Sequence, residues 1–365
     1  MREVCEFRVV ERHASLLFGA TEGTRLGDSI VGYTVRKIEI PTDDPRFHRI
    51  GEINEELSSD RNESFFHGWN LIRHYTKADL ASAELFHLKI TAVFEPPGRD
   101  CGTQYDYSDS CPECACPARQ ASALILDLRK APKTRDIAMT IHHDEWIVSQ
   151  RLAGLLADAG LTGFELAPVR HKSQYQDDTM DFRATPKGRE VLRRAEAAGY
   201  PHPSAEFWYW LNRAEQRALV DQMRQEWVAM RTERERRRAK APPVWYQLKV
   251  KSARVICVAP TRFGLDPFDK ESRHRCPRLA SDPRGEHVAG GRPLSEFFVD
   301  RDSYDGSDIV QTREYGGWST RVARQAGAKR GGGSPFLLVS PRFRRLLLDY
   351  KIRGWKTDVA YLCRK

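Results

Sequence analysis

One segment of this chain is written twice. Residues 148–164 read VSQRLAGLLADAGLTGF, and residues 339–355 read VSPRFRRLLLDYKIRGW. The offset is 191 throughout, with no gap. Seven of the 17 positions are identical: Val148/Val339, Ser149/Ser340, Arg151/Arg342, Leu155/Leu346, Leu156/Leu347, Asp158/Asp349 and Gly163/Gly354. Others are swaps within a class, such as Leu152/Phe343 and Phe164/Trp355. A repeat at fixed register constrains the fold strongly, because both copies present the same surfaces to be buried.

Each copy opens on an apolar run and then a serine, Ser149 or Ser340. Serine suits a helix N-cap because its hydroxyl accepts a backbone N–H left unpaired in the first turn. Pro341 stands at the first helical position, where its missing N–H costs nothing. Leu152, Leu155 and Leu156 make one helical stripe. Gly160 suits a helix C-terminus. Lys351 stands there in the second copy, which leaves that ending less defined. Gly163 and Gly354 mark turns into an extended exit. Each copy therefore reads as a strand–helix–strand unit.

A fainter likeness lies upstream. LFHLKI at 85–90 and WYQLKV at 245–250 both alternate apolar and polar positions, as half-buried strands do. The fold expected is α+β, with two related modules from an internal duplication, at 84–169 and 244–365. Residues 1–80 read as a mixed N-terminal segment, with strands near 7–10 and 30–40 and an aromatic core stretch at 65–75. Residues 170–243 read as a helical insert. Thr185 and Pro186 open one helix there, to about Ala198, and Asn212 could cap a longer one. Leu219, Met223, Trp227 and Met230 form an apolar face suited to core packing. Residues 329–334, KRGGGS, read as a flexible loop tip without phosphate-loop spacing.

No run approaches the roughly 18 apolar residues of a membrane helix, and MREVCEFRVVERH has charges where a signal peptide needs apolar residues. A cytoplasmic protein is expected. Its eight cysteines then read as thiols or metal ligands, not disulfides. Net charge is +9, and residues 231–240, RTERERRRAK, carry +4 of it. This stretch reads as a solvated helix end or as a nucleic-acid contact, though no aromatics interleave with it to stack on bases.

Cys101, Cys111, Cys114 and Cys116 fall within CGTQYDYSDSCPECAC. Cys-Pro-Glu-Cys is a tight C-x2-C turn, and zinc favours four soft tetrahedral ligands. These four cysteines are the ligand set expected for a structural zinc that orders an otherwise irregular loop. In the second module, Cys276, His274 and His287 are scattered, and no separate metal site is expected there. His142, His143, Asp144 and Glu145 are the densest polar group near the repeat and read as a surface turn. No nucleophile elbow, H-E-x-x-H or Gly-rich dinucleotide loop occurs.

The CPEC loop together with WIVSQRLAGLLADAGLTGFELAPV resembles the double-CXXCG-motif immunity proteins of polymorphic-toxin systems. The resemblance covers mainly 84–169, with a fainter second copy at 244–362. Ala115 stands where that motif has glycine. The resemblance implies a non-catalytic protein that protects a cell by binding a cognate toxin-like protein partner. A zinc-containing nucleic-acid-binding protein using the 231–240 stretch is the alternative, and an enzyme site assembled between the modules is a third.

Overall fold

The computed structural model describes residues 1–28, 34–141, 145–172, 181–239, 245–269, 275–319 and 332–364. It is a mixed α+β fold of several sheets with helices packed on them.

The strand–helix–strand units form as the repeat indicates. Ser149 accepts from the Leu152 N–H at 3.2 Å and opens the helix Gln150–Asp158. Ser340 accepts from the Phe343 N–H at 3.1 Å and opens the helix Pro341–Asp349. Gly160 has φ +58°, and Lys351 takes the same left-handed conformation, φ +51°, so both helices end alike.

The leading strands then do something the linear pattern does not show. The two parallel strands of each unit stand two strand spacings of about 4.8 Å apart, and the strand between them comes from the other copy. Leu85–Ile90 lies between Gly332–Val339 and Trp355–Cys363. Trp245–Val250 lies between Trp146–Ser149 and Phe164–Pro168. The exchange is reciprocal and in register: Phe86 opposes Val339 as Tyr246 opposes Val148, and Ile90 opposes Trp355 as Val250 opposes Phe164. Phe86, Leu88, Leu152, Leu156, Leu248, Phe343, Leu347 and Val359 share one buried core. The segments 84–169 and 244–365 are therefore interlocked halves of one body.

The identical residues serve this junction. Arg151 donates to the Tyr350 carbonyl at the end of the opposite helix, and Arg342 donates to the Ala159 carbonyl in return. Each arginine sits in the first turn of its own helix, so the helices run antiparallel. A Cβ on Gly163 would lie 2.3 Å from the Ile309 carbonyl oxygen, and one on Gly354 would lie 2.3 Å from that of Ile137. With φ of +92° and +108°, both positions need glycine.

Residues 1–80 contribute a four-stranded antiparallel sheet and the helix Pro45–Arg61, which covers its apolar face through Ile50, Ile53 and Leu57. Residues 65–75 supply buried Phe65, Phe66 and Leu71, as expected, the last two in the strand Phe66–His74. Ile30 of the expected second strand lies outside the described residues, and the strand runs Thr34–Pro41. This sheet is pinned to the second half: Phe268 packs on Phe7, Phe47 and Phe66, and the Trp69 indole donates to the Leu265 carbonyl at 2.7 Å.

The insert is a small helical unit with its own core of Phe182, Val191, Phe207, Trp210, Leu219 and Met223. Its first helix, Pro186–Ala197, is capped by Thr185. Asn212 ends the helix Ala205–Leu211, and the long helix, Arg217–Ala239, begins after a short 3-10 turn. The expected apolar face is buried only at Leu219 and Met223; Trp227 and Met230 are half-buried, because the helix outruns the core. Residues 329–331 of KRGGGS lie outside the described residues, whereas Gly333 and Ser334 belong to the strand Gly332–Val339. No helix among the described residues is long and apolar enough to cross a membrane.

Candidate metal centre

Cys111, Cys114, Cys276 and His287 are all buried, and their donor atoms lie within 4.8 Å of one another. Cys111 Sγ is 3.8 Å from Cys276 Sγ. His287 Nδ1 is 3.7 Å from Cys114 Sγ and 3.5 Å from Cys276 Sγ. Three sulfurs and one imidazole nitrogen so placed can hold one metal ion.

Each half supplies a knuckle built on Cys-Pro. In Cys111-Pro112-Glu113-Cys114, the Ala115 N–H closes the turn on the Cys111 carbonyl at 2.7 Å, and the Glu113 N–H points at Cys111 Sγ at 3.4 Å. Ala115 takes φ +55°, the conformation for which a following glycine would be suited. In the second half, Cys276-Pro277-Arg278-Leu279 makes a similar turn, with the Leu279 N–H on the Cys276 carbonyl at 3.1 Å. Leu279 stands where a second cysteine would fall, and His287 supplies the fourth donor instead. His287 is held in place by backbone pairing. Cys276 N–H bonds the Val288 carbonyl at 2.8 Å, and Tyr315 N–H bonds the His287 carbonyl at 2.9 Å.

Asp282 Oδ2 lies 3.0 Å from His287 Nε2. A carboxylate there keeps the proton on Nε2 and turns the Nδ1 lone pair toward the sulfurs, the arrangement common behind metal-bound histidines. Arg284, beside Asp282, holds that carboxyl well below the usual range, so it stays an acceptor. Without a cation the sulfurs burden one another. A hydrogen bond that the Cys114 thiol donates to Cys116, and then burial, push the Cys114 thiol far up, and burial pushes Cys276 up to about 12. A divalent cation reverses that balance by binding thiolate directly.

Of the four cysteines expected as ligands, the structure brings Cys111 and Cys114 together. Cys116 packs beside them, with its Sγ 3.9 Å from the Gly333 carbonyl, and lies outside the four-donor group. Cys101 is buried beside Asp127, at the end of the turn Gly98–Cys101, and is also outside it. Cys276 and His287, expected to hold no separate metal, join Cys111 and Cys114 from the other half in one group of donors that could hold an ion. His274 lies outside the described residues. The signal that could have found the partners is the second Cys-Pro, CPRLA against CPECA.

His142, His143 and Asp144 lie outside the described residues, but Glu145 is not on a surface turn. It is buried, and its carboxylate accepts from the Gly98 N–H at 2.9 Å and from the Tyr105 and Thr140 hydroxyls. It ties the arm of the loop that precedes Cys111 to the strand Ile137–Thr140. Burial raises its pKa.

No family model matches the chain, and no curated protein matches it either.

Proposed function

We propose that the four donors hold a structural zinc, and that the protein is a non-catalytic, protein-binding molecule of the immunity type implied by its resemblance. The observation that carries the zinc reading is the spacing. Two sulfurs about 2.3 Å from a tetrahedral ion stand about 3.8 Å apart, and a sulfur and an imidazole nitrogen about 3.6 Å apart. The contacts of 3.8, 3.7 and 3.5 Å match both values. The shell is complete with protein donors, so it leaves no position for a reacting water, and a closed shell of this kind is structural. Its role is to clamp the loop after Leu85–Ile90 to the loop after Trp245–Val250, at the junction of the interlocked halves.

The partner is a folded, cognate protein. The test is a tagged pull-down from the native host, with and without nuclease, read by mass spectrometry. One protein recovered near stoichiometrically in both arms supports the reading. Recovery that disappears with nuclease overturns it in favour of nucleic-acid association. The alternative placed that association on residues 231–240, whose side chains lie outside the described residues from 234 onward.

A further inference from the structure

We infer that the strand Trp245–Val250 carries a binding cleft for a small carboxylate, with Lys249 as its anchoring cation. This rests on neither the metal centre nor a protein partner. Side chains alternate along the strand, so Gln247 and Lys249 share one face while Leu248 enters the core on the other. Both line a cleft of about 350 Å³ between the two halves. Of the four cations along it, three are paired. Arg119 meets Asp109 at 2.9 Å, Lys251 meets Glu165 at 2.9 Å, and Arg254 meets Glu286 at 3.4 Å. Lys249 is half-buried and has no ion pair or hydrogen bond among the described residues. Glu165, which opposes it across the strands, is drawn to Lys251 instead.

The internal repeat shows what Lys249 lacks. Lys89 holds the same position in the exchanged strand Leu85–Ile90, and its Nζ lies 2.6 Å from Asp358 Oδ2. Asp358 opposes His87 as Ala167 opposes Gln247. Ala167 therefore stands where the other sheet has its carboxylate. Arg73 of the N-terminal sheet also reaches Asp358, at 3.3 Å, whereas the face that bears Lys249 opens on the cleft. A half-buried ammonium without its counter-charge favours an anion from outside. One unpaired charge selects a monoanion, and the matching place in the other sheet holds a carboxylate. The floor beside Lys249 is neutral and hydrogen-bonding. Gln120 and Gln247 exchange carboxamide hydrogen bonds at 2.6 and 3.2 Å, and buried Gln311 lines the same cleft. A few polar groups so placed fix a ligand's orientation. They suit the amide next to the carboxylate of an N-acylated amino acid or of a peptide's C-terminal end.

The experiment is a saturation-transfer NMR titration of the full chain with N-acetylglycine, its neutral analogue N-acetylglycinamide, and a short Gly-Ser peptide with a free C-terminus. The two carboxylates are expected to bind and the neutral amide is not. Lys249→Gln should weaken binding at least about tenfold, the effect of losing a hydrogen bond to a charged group. Ala167→Asp supplies the internal carboxylate that the other sheet has. It should abolish binding and raise the melting temperature. A circular dichroism melt checks that both variants fold. A peptide that binds at least about tenfold tighter than N-acetylglycine would identify the end of a protein chain as the source, and equal affinities a free small acid. No binding of either carboxylate, equal binding of the neutral amide, or binding unchanged in either variant would each overturn the proposal.

Discussion

Cys111 Sγ and Cys276 Sγ lie 3.8 Å apart, although 165 residues separate them in the chain. One belongs to the loop after the strand Leu85–Ile90 and the other to the loop after Trp245–Val250, the two strands exchanged between the halves. The candidate metal centre and the strand exchange are therefore parts of one closure. Removing Cys276 should loosen the loop at 95–120 as much as removing Cys111 does. Cys276→Ser is expected to lower the melting temperature and expose the amides of 95–120 to hydrogen exchange. Protection there that matches the parent would contradict the clamp.

The helix caps are tied across the same junction. The Ser340 hydroxyl donates to Asp308 Oδ1 at 2.6 Å, and Asp308 Oδ2 accepts from the Thr162 N–H at 2.9 Å in the opposite half. Asp136 repeats this with Ser149 and with the Arg353 N–H. Loss of a serine cap alone costs about 1 kcal/mol. Asp308→Ala strands two donors near the core and should cost about 2–3 kcal/mol, more than Ser340→Ala. Urea titration of both variants decides the order; equal losses would mean the carboxylate adds nothing.

Lys351 holds a left-handed conformation that glycine occupies in the other copy. The penalty for a side chain there is about 1–2 kcal/mol, partly offset by the freer unfolded chain of glycine. Lys351→Gly should therefore stabilise the fold by up to about 1 kcal/mol. A lower denaturation midpoint in this variant would show that the lysine side chain contributes something the geometry does not reveal.

His87 gives the fold an acid-sensitive point. It is packed between Phe297 and Phe336, and burial lowers its pKa from 6.5 to about 3, with Asp358 opposing the shift and Lys89 and Arg73 adding to it. The unfolded chain binds the proton more readily, so stability is full above about pH 6.5 and is lost as pH falls toward 3. The loss is at most about 1.4 kcal/mol per pH unit from this group. Gln247 occupies the matching position in the other half and cannot titrate. His87→Gln should flatten the stability profile between pH 6.5 and 4; an unchanged slope would place the acid sensitivity elsewhere.

Much of the repeat was legible because its signals are local. The Ser caps, the Leu stripe, Gly160, Gly163 and Gly354 act within one turn of helix or chain, and each took the form its chemistry favours. What remained hidden depends on pairing between distant segments. LFHLKI and WYQLKV were recognisable as matching strands, but their exchange is a choice of neighbour that no local pattern records. The metal centre was half legible for the same reason. Cys111 and Cys114 sit on one turn, whereas Cys276 and His287 join them only because the halves interlock. Cys101 and Cys116 were drawn into the expected set by closeness in sequence, which says little about closeness of sulfur atoms. Asp136 and Asp308 went unnoticed because single acidic residues before a strand carry no signal of their own.

The most direct test is metal analysis of the purified full chain by elemental mass spectrometry, with X-ray absorption at the zinc edge, for the parent, Cys276→Ser and Cys101→Ser. The account expects about one zinc per chain in a shell of three sulfurs and one nitrogen. It expects that zinc to be lost in Cys276→Ser and kept in Cys101→Ser. A parent that binds no zinc under reducing conditions, or a Cys276→Ser protein that keeps its full complement, would contradict it.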